Sequence, residues 1–447
     1  MENVIFGTDG LRGKINKSLT PRVAYNLGNA LALFLKQNSM QPKICVAKDT
    51  RTSCDMLYFA LSSALLASGV DVFYLEETTT PSLAFLTKQI GASLGVMITA
   101  SHNQYDYNGF KFFSSKGIKL DQYSMLKIQN NMQYSKCDLL SADNLNIGKL
   151  IVCQDKKDIY LNYLQKEKNK VKNISNFSLC FDCANGASYN IIKKLFPSAQ
   201  MFGDKLYEDK ENLFCGALYP NQMQKNISLC GADFGFCFDG DADRLIVVLK
   251  SGKILDGDDL LYLFSKFYKQ KGKLKKNEVV GTILTNFGVE LALSRLDIKL
   301  SRQNVGDKYI CNEMRVKSLI IGAEQAGHII IRNKDNLIGD AVLACIKFLS
   351  IASEINDIEK YISDCDKFNQ ISENVKVKEE MLNLVLEKNE FKTFLELCEN
   401  ELGARGRIVV RKSGTESVIR IMVEGENAKK CSKICALLKQ KILKLAK

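Results

Sequence analysis

Only two of the 447 residues are histidine, His102 and His328, and that scarcity singles out the two loops that hold them. Apolar runs are short, and none approaches the ~20 residues of a membrane span. The opening "MENVIFGTDGLRG" has neither a basic start nor an apolar stretch, so no secretory signal is expected there. Fifteen cysteines then point to a reducing cytoplasm, where thiols act mostly as small buried hydrophobes. The C-x-x-C from Cys180 to Cys183 has no second pair nearby and no histidine within reach, which argues against zinc. Despite a net charge of +12, the sequence has no nucleic-acid fold motif and no interleaving of aromatic and basic residues. Its lysines sit in runs such as "KEKNKVK" (166–172) and "KQKGKLKK" (269–276), which read as solvated faces. Nucleic acid and membrane are therefore not expected partners, and a small anionic metabolite remains.

What is present is a soluble globular pattern, 46% hydrophobic and 25% charged, long enough for two to four domains. "TPRVAYNLGNALALFLKQN" predicts a helix capped by Thr20 with Pro21 at its first position. "KICVAKD", "VDVFYLE" and "SLGVMITA" predict strands, with a helix over "MLYFALSSALLASG" between the first two. Strand, helix, strand in this order implies parallel βαβ units, whose ligands lie beyond the carboxyl ends of strands. The phrase "apolar strand, then polar loop" recurs at 234–249 and 318–331. The expected fold is three consecutive α/β domains with mixed sheets, over 1–150, 151–253 and 254–365. A C-terminal α+β domain over 366–447 follows, all four facing a central cleft.

Four loops carry the chemistry. "DGDADR" places carboxylates at Asp239, Asp241 and Asp243, and an extended backbone would turn all three to one side. Two carboxylates ~4 Å apart repel by about 4 kcal/mol at an effective dielectric of 20, so a cation is expected among them. An EF-hand is ruled out, since Arg244 and Lys250 occupy its required glycine and glutamate places. Few protein ligands and hard oxygens fit Mg²⁺, against the bland reading of an acidic surface turn. "RKSGTESVIR" offers Arg411, Ser413, Gly414, Thr415 and Arg420 as an anion cradle, with an ordinary polar hairpin as the alternative. "GAEQAGH" offers Glu324 for sugar hydroxyls and His328 for proton handling, or else a structural histidine. In "ITASHNQYDYNGFKFF" (98–113), Ser101 is a candidate nucleophile with Lys111 ten residues on. A Ser–His–Asp hydrolase is one reading. However, G-x-S-x-G is absent, and on an extended loop His102 would point away from Ser101. A serine that carries a phosphoryl group beside the acidic triplet fits better.

These motifs, together with "GTDGLRG", stand in the order of the α-D-phosphohexomutase superfamily, which the whole chain resembles. "FGTDGLRG", "KFFSSKGIKL", "DCANGAS", "VGDKYI" and "RKSGTE" are most similar to the bacterial phosphoglucosamine mutases within it. The resemblance implies an isomerase of amino-sugar metabolism that interconverts glucosamine 6-phosphate and glucosamine 1-phosphate through a bound bisphosphate. It implies Ser101 as phosphoserine and Mg²⁺ held by Ser101, Asp239, Asp241 and Asp243. Lys111 and His328 would transfer protons, and Arg12, His102 and Arg244 would surround the phosphoryl group. Glu324 would contact the sugar, and the 411–420 loop would grip the second phosphate. A homodimer and an activating kinase are the implied partners. Phosphomannomutase, phosphoglucomutase or an inactive sugar-phosphate binder are the alternatives. Gln104, Ala242, Ala326 and Ser417 depart from the usual proline, glycine, serine and proline; Ala242 is compatible with a backbone of negative φ.

Overall fold

The computed structural model describes residues 5–7, 10–134, 146–204, 210–333, 337–413 and 417–446. Sheets of seven, five, four and three strands follow one another along these residues. In the first, Lys43–Lys48, Asp71–Glu77 and Leu94–Ile98 run parallel, joined by the expected helix at Ser53–Ala67 and by a second, Thr80–Ile90, that the sequence reading did not name. Thr20 caps the helix Pro21–Gln37 by accepting the Val23 N–H, and Pro21 opens it where a missing N–H costs nothing. Every residue of Leu94–Ile98 is buried, which explains an apolar run without alternation.

Each of the three α/β sheets repeats one device. A parallel strand is followed by an antiparallel partner, and a motif loop forms the turn between them. Leu94–Ile98 pairs with Tyr107–Ser114, Phe234–Phe238 with Leu245–Leu249, and Ile321–Ala323 with Ile329–Ile331. The first hairpin sets Met97 opposite Lys111, so the lysine ten residues after Ser101 comes back alongside it. The strand Leu150–Val152 pairs with Asp71–Glu77 and completes the first sheet. Ile254–Leu255 likewise pairs with Leu245–Leu249 and belongs to the second. Both short strands lie across the divisions expected at 150 and 253, because sheet membership is set by pairing and a change of composition does not mark it.

One core joins the first three sheets, running from Leu83 and Phe113 through Phe236 to Phe264 and Phe348. Tyr160 is fully buried within it and donates to Asp340 at 2.9 Å, so the three units are packed as one body. The fourth sheet, Asn369–Lys376, Val418–Gly425 and Gly406–Lys412, has its own core against the helix Ala428–Leu445. Asn286 joins it to the third unit by bonding both the N–H and the carbonyl of Phe368. Glu424 adds a second tie, accepting from the Phe287 N–H and from Arg407.

Beneath that joint Asp258 accepts the Asn286 N–H at 2.8 Å. Burial, then the Asp256 carboxylate, push Asp258 up from 3.8 to about 8. The folded chain thus holds this proton more tightly than the unfolded chain does. Its stabilising contribution is full below about pH 4 and lost as pH rises through about 8. Thermal melts across that window are expected to show a smaller fall for Asp258→Asn than for the wild type.

Candidate active site

The loop after Leu94–Ile98 begins with Thr99, whose hydroxyl accepts the Ser101 N–H at 2.8 Å. Ser101 has φ 53°, in the left-handed region, and its Oγ donates to Asp239 Oδ2 at 2.8 Å. This backbone corrects the expectation for His102. On an extended loop the two side chains would diverge, but the left-handed turn leaves His102 Nδ1 3.3 Å from the serine Oγ. Burial, then the Arg244 and Arg12 guanidinium groups, push His102 down to about 2, so the ring is neutral at physiological pH. A serine hydrolase needs a carboxylate behind its histidine to stabilise the imidazolium. The dominant charges around His102 have the opposite sign.

The three aspartates converge for a different reason from the one expected. Residues 239–244 form a tight turn, and the pleat of an extended strand plays no part. Asp239 Oδ1 accepts the N–H groups of Asp243 and Arg244 at 3.1 Å each, and the Asp239 carbonyl accepts that of Ala242. The turn requires φ 57° at Ala242, so the condition of negative φ fails there. An alanine in the left-handed region costs about 1–2 kcal/mol. That relief is close to what glycine would lose through one buried methyl, ~0.8 kcal/mol, plus backbone entropy of roughly 0.5–1 kcal/mol. Ala242→Gly is therefore expected to leave stability within about 1 kcal/mol of wild type. Ala344→Gly, an equally buried methyl in the helix Ala341–Ala352, is expected to cost about 1–2 kcal/mol. Paired denaturant titrations check both.

One ligand oxygen from each of Asp239, Asp241 and Asp243 lies within 4.8 Å of the others, and all three residues are buried. Asp241 Oδ1 is enclosed without a hydrogen-bond partner. Burial, then Asp243 and Asp241, push Asp239 up to about 7. An orphaned buried oxygen among mutually repelling carboxylates suits a hard cation, and the cluster is able to bind a metal ion. Positive groups border it. Lys111 Nζ donates to Asp241 Oδ2 at 2.6 Å and Asp243 Oδ2 at 2.5 Å. Arg244 Nε stands 3.8 Å from Asp239 Oδ2, buried and without a hydrogen-bond partner of its own.

His328 joins this cluster to the third sheet. Its Nε2 is 3.0 Å from Asp243 Oδ1 and its Nδ1 2.7 Å from Glu324 Oε2. Although burial opposes it, Asp243 and Glu324 raise His328 to about 10. Glu324 Oε1 also accepts the Gly306 N–H at 2.6 Å. Gly327, at φ 99°, lets this loop approach; a Cβ there would meet the Leu245 carbonyl oxygen at 2.8 Å. Arg12 donates to Asn103 Oδ1 at 2.8 Å and so reaches the serine loop from the N-terminal hairpin.

The sequence matches the phosphoglucomutase/phosphomannomutase family in four parts. These are alpha/beta/alpha domain I over 3–136, domain II over 158–252, domain III over 256–368 and the C-terminal domain over 373–441. The chain belongs to this family. It is 38% identical over 443 residues to the phosphoglucosamine mutase of Thermoanaerobacter sp. (strain X514), covering 98% of each. Its fold matches a phosphoglucomutase/phosphomannomutase family protein from Burkholderia thailandensis with a TM-score of 0.79, at 19% identity over 99% of this chain and 97% of that one. It also matches Aspergillus fumigatus N-acetylphosphoglucosamine mutase in complex with GlcNAc-6P and magnesium, with a TM-score of 0.71. That match is at 17% identity and covers 100% of this chain and 96% of the other.

In this phosphoglucomutase/phosphomannomutase chain two further candidates, Arg411 and Arg420, lie on the C-terminal sheet. Arg411 and Arg420 sit directly opposite each other on adjacent strands. Like charges so placed destabilise a sheet unless an anion joins them. Burial, then Arg420, lower Arg411 from its usual value. Ser413 is buried at the strand end, while Gly414 and Thr415 fall outside the described residues. The sequence reading missed a further group: Asp49 and Arg51 of "KDTRTS", and Glu211 and Asn212. The signal for the first pair was present, since "KICVAKD" is also a strand that runs into a polar loop. Nothing local marks Asn212.

Proposed function

We propose that this family member is a phosphoglucosamine mutase, an isomerase that interconverts glucosamine 6-phosphate and glucosamine 1-phosphate. The observation that carries the reading is the Ser101 hydroxyl 2.8 Å from Asp239 within a buried acidic turn. A hydroxyl so placed can store a phosphoryl group at the edge of a cation site. The 38% identity to a phosphoglucosamine mutase over 98% of the chain supports the amino sugar, and a structural relative in complex with glucose 1,6-bisphosphate supports the bisphosphate intermediate.

In this reading Asp239, Asp241 and Asp243, with Ser101, hold Mg²⁺. When bound, that ion supplies charge neutralisation for phosphoryl transfer. Arg12, His102 and Arg244 surround the phosphoryl oxygens. Lys111 and His328 each present a proton-bearing nitrogen at the border of the turn, one for each sugar oxygen that gains or loses a proton. Glu324 orients sugar hydroxyls. Arg411, Ser413, Gly414, Thr415 and Arg420 hold the phosphate that is not reacting. Ser101 gives its phosphoryl group to one end of the substrate, the bisphosphate turns around, and the other phosphate returns to Ser101. A fourth unit with its own core, tied through Asn286 and Glu424, suits a lid that admits this reorientation.

Gln104 and Ala326 bear on the choice of sugar, so the test compares substrates. With Mg²⁺ and a bisphosphate primer, glucosamine 6-phosphate is expected to turn over faster than glucose or mannose 6-phosphate. No turnover of the amino sugar, with turnover of either other sugar, assigns the chain to phosphoglucomutase or phosphomannomutase activity.

A further inference from the structure

Arg51 is only 4% exposed. It is spent on backbone carbonyls of a single loop. Nη1 donates to the carbonyls of Gln104 at 2.7 Å and Tyr107 at 3.0 Å. Nη2 donates to those of Ser101 at 3.1 Å and Asn103 at 2.8 Å. Asp49 Oδ2 at 3.2 Å and Glu211 Oε2 at 3.1 Å neutralise it from the Nε side. A buried guanidinium is costly unless every donor is used, and here four of its contacts converge on residues 101–107. Asn212 completes the arrangement. Its Nδ2 donates to the Ser101 carbonyl at 2.7 Å, and its Oδ1 accepts the Gly240 N–H at 3.1 Å. One amide thus spans the serine loop and the acidic turn.

We propose that Arg51 and Asn212 are positioning residues, which hold Ser101 in its left-handed conformation and set its distance from Asp239. The proposal rests on the reading of Ser101 as the phosphoryl carrier, but its physical content is separate. Residues at positive φ other than glycine persist only where surrounding contacts over-determine them. The Ser101 peptide unit meets that requirement: its N–H is held by Thr99 and its carbonyl by both Arg51 and Asn212. Lysine at position 51 would keep the charge but not the planar fork, so it cannot reach both pairs of carbonyls.

The test uses the full-length chain with Arg51→Lys and, should that variant fold poorly, Asn212→Ala. Amide hydrogen exchange is read by mass spectrometry on peptides covering 99–109, with the helix Pro21–Gln37 as reference. Faster exchange confined to 99–109 is expected. In parallel, kcat for the sugar phosphate is expected to fall by about 10²-fold while KM stays within about threefold, since a misplacement of about 1 Å costs that much in rate. Unchanged exchange of 99–109 overturns the proposal whatever sugar the chain acts on. Faster exchange spread over the whole first unit also overturns it, because that outcome marks a general loss of stability. If the wild type lacks mutase activity, the functional reading falls while the exchange measurement still decides this proposal.

Discussion

Replacing Ser101 by alanine is expected to lower turnover by at least about 10⁴-fold and to leave sugar-phosphate affinity within about threefold. Alanine tolerates the same left-handed backbone as serine, and the Ser101 N–H and carbonyl keep their partners in Thr99, Arg51 and Asn212. The loop therefore keeps its shape and loses one atom, the Oγ. Binding relies on Arg411, Arg420 and Glu324 in the proposed reading, none of which touches that atom. A simple binder would show the same affinity and no activity in either form. Calorimetry with the sugar phosphate, a coupled turnover assay and intact mass after bisphosphate treatment separate these cases. Substantial turnover by Ser101→Ala, or a wild type that never gains a phosphoryl group, removes the phosphoserine mechanism.

The second large effect is expected at Asp241. Asparagine keeps the shape of the side chain, and its Oδ1 can accept from Thr80 and Lys111 as the aspartate does. Its amide nitrogen then falls where the wild type has an oxygen without a partner. Removing one of three mutually repelling buried charges offsets much of what Lys111 loses, so stability without metal is expected within about 1 kcal/mol of wild type. Cation binding is different. Two unit charges about 4 Å apart interact by about 4 kcal/mol at an effective dielectric of 20, and a divalent ion doubles that to about 8 kcal/mol, so Mg²⁺ affinity should fall by at least about 10³-fold. The rise in Tm on adding Mg²⁺ should shrink accordingly, because a bound ion at free concentration L stabilises by RT ln(1 + L/Kd) and a larger Kd lowers that gain. Magnesium titrations of Tm and of activity test this. An Asp241→Asn protein with wild-type magnesium dependence places the cation elsewhere.

Hydrophobic periodicity made the architecture legible. The capped helix at Thr20, the buried strand Leu94–Ile98 and the strand–loop–strand of the C-terminal unit all follow from local pattern and turn chemistry. Divisions between units were harder to read. Leu150–Val152 and Ile254–Leu255 are short strands whose membership depends on partners about eighty and seven residues back, respectively. The acidic triplet was also legible, but for a reason that did not hold. Residue types predicted convergence, while the backbone achieves it through a turn with Ala242 at positive φ.

The sequence by itself determined which chemical groups this protein has and on which loops they sit, because strand-then-loop punctuation and residue type are local properties. Only the tertiary structure decided how those loops face one another. The contact of Ser101 with Asp239 spans 138 residues, that of Lys111 with Asp241 130, and that of His328 with Asp243 85. The polar loop after "KICVAKD" was open to notice, but what Arg51 does on it was not, for the same reason. Its partners are backbone carbonyls fifty residues away, and backbone carbonyls carry no sequence signature.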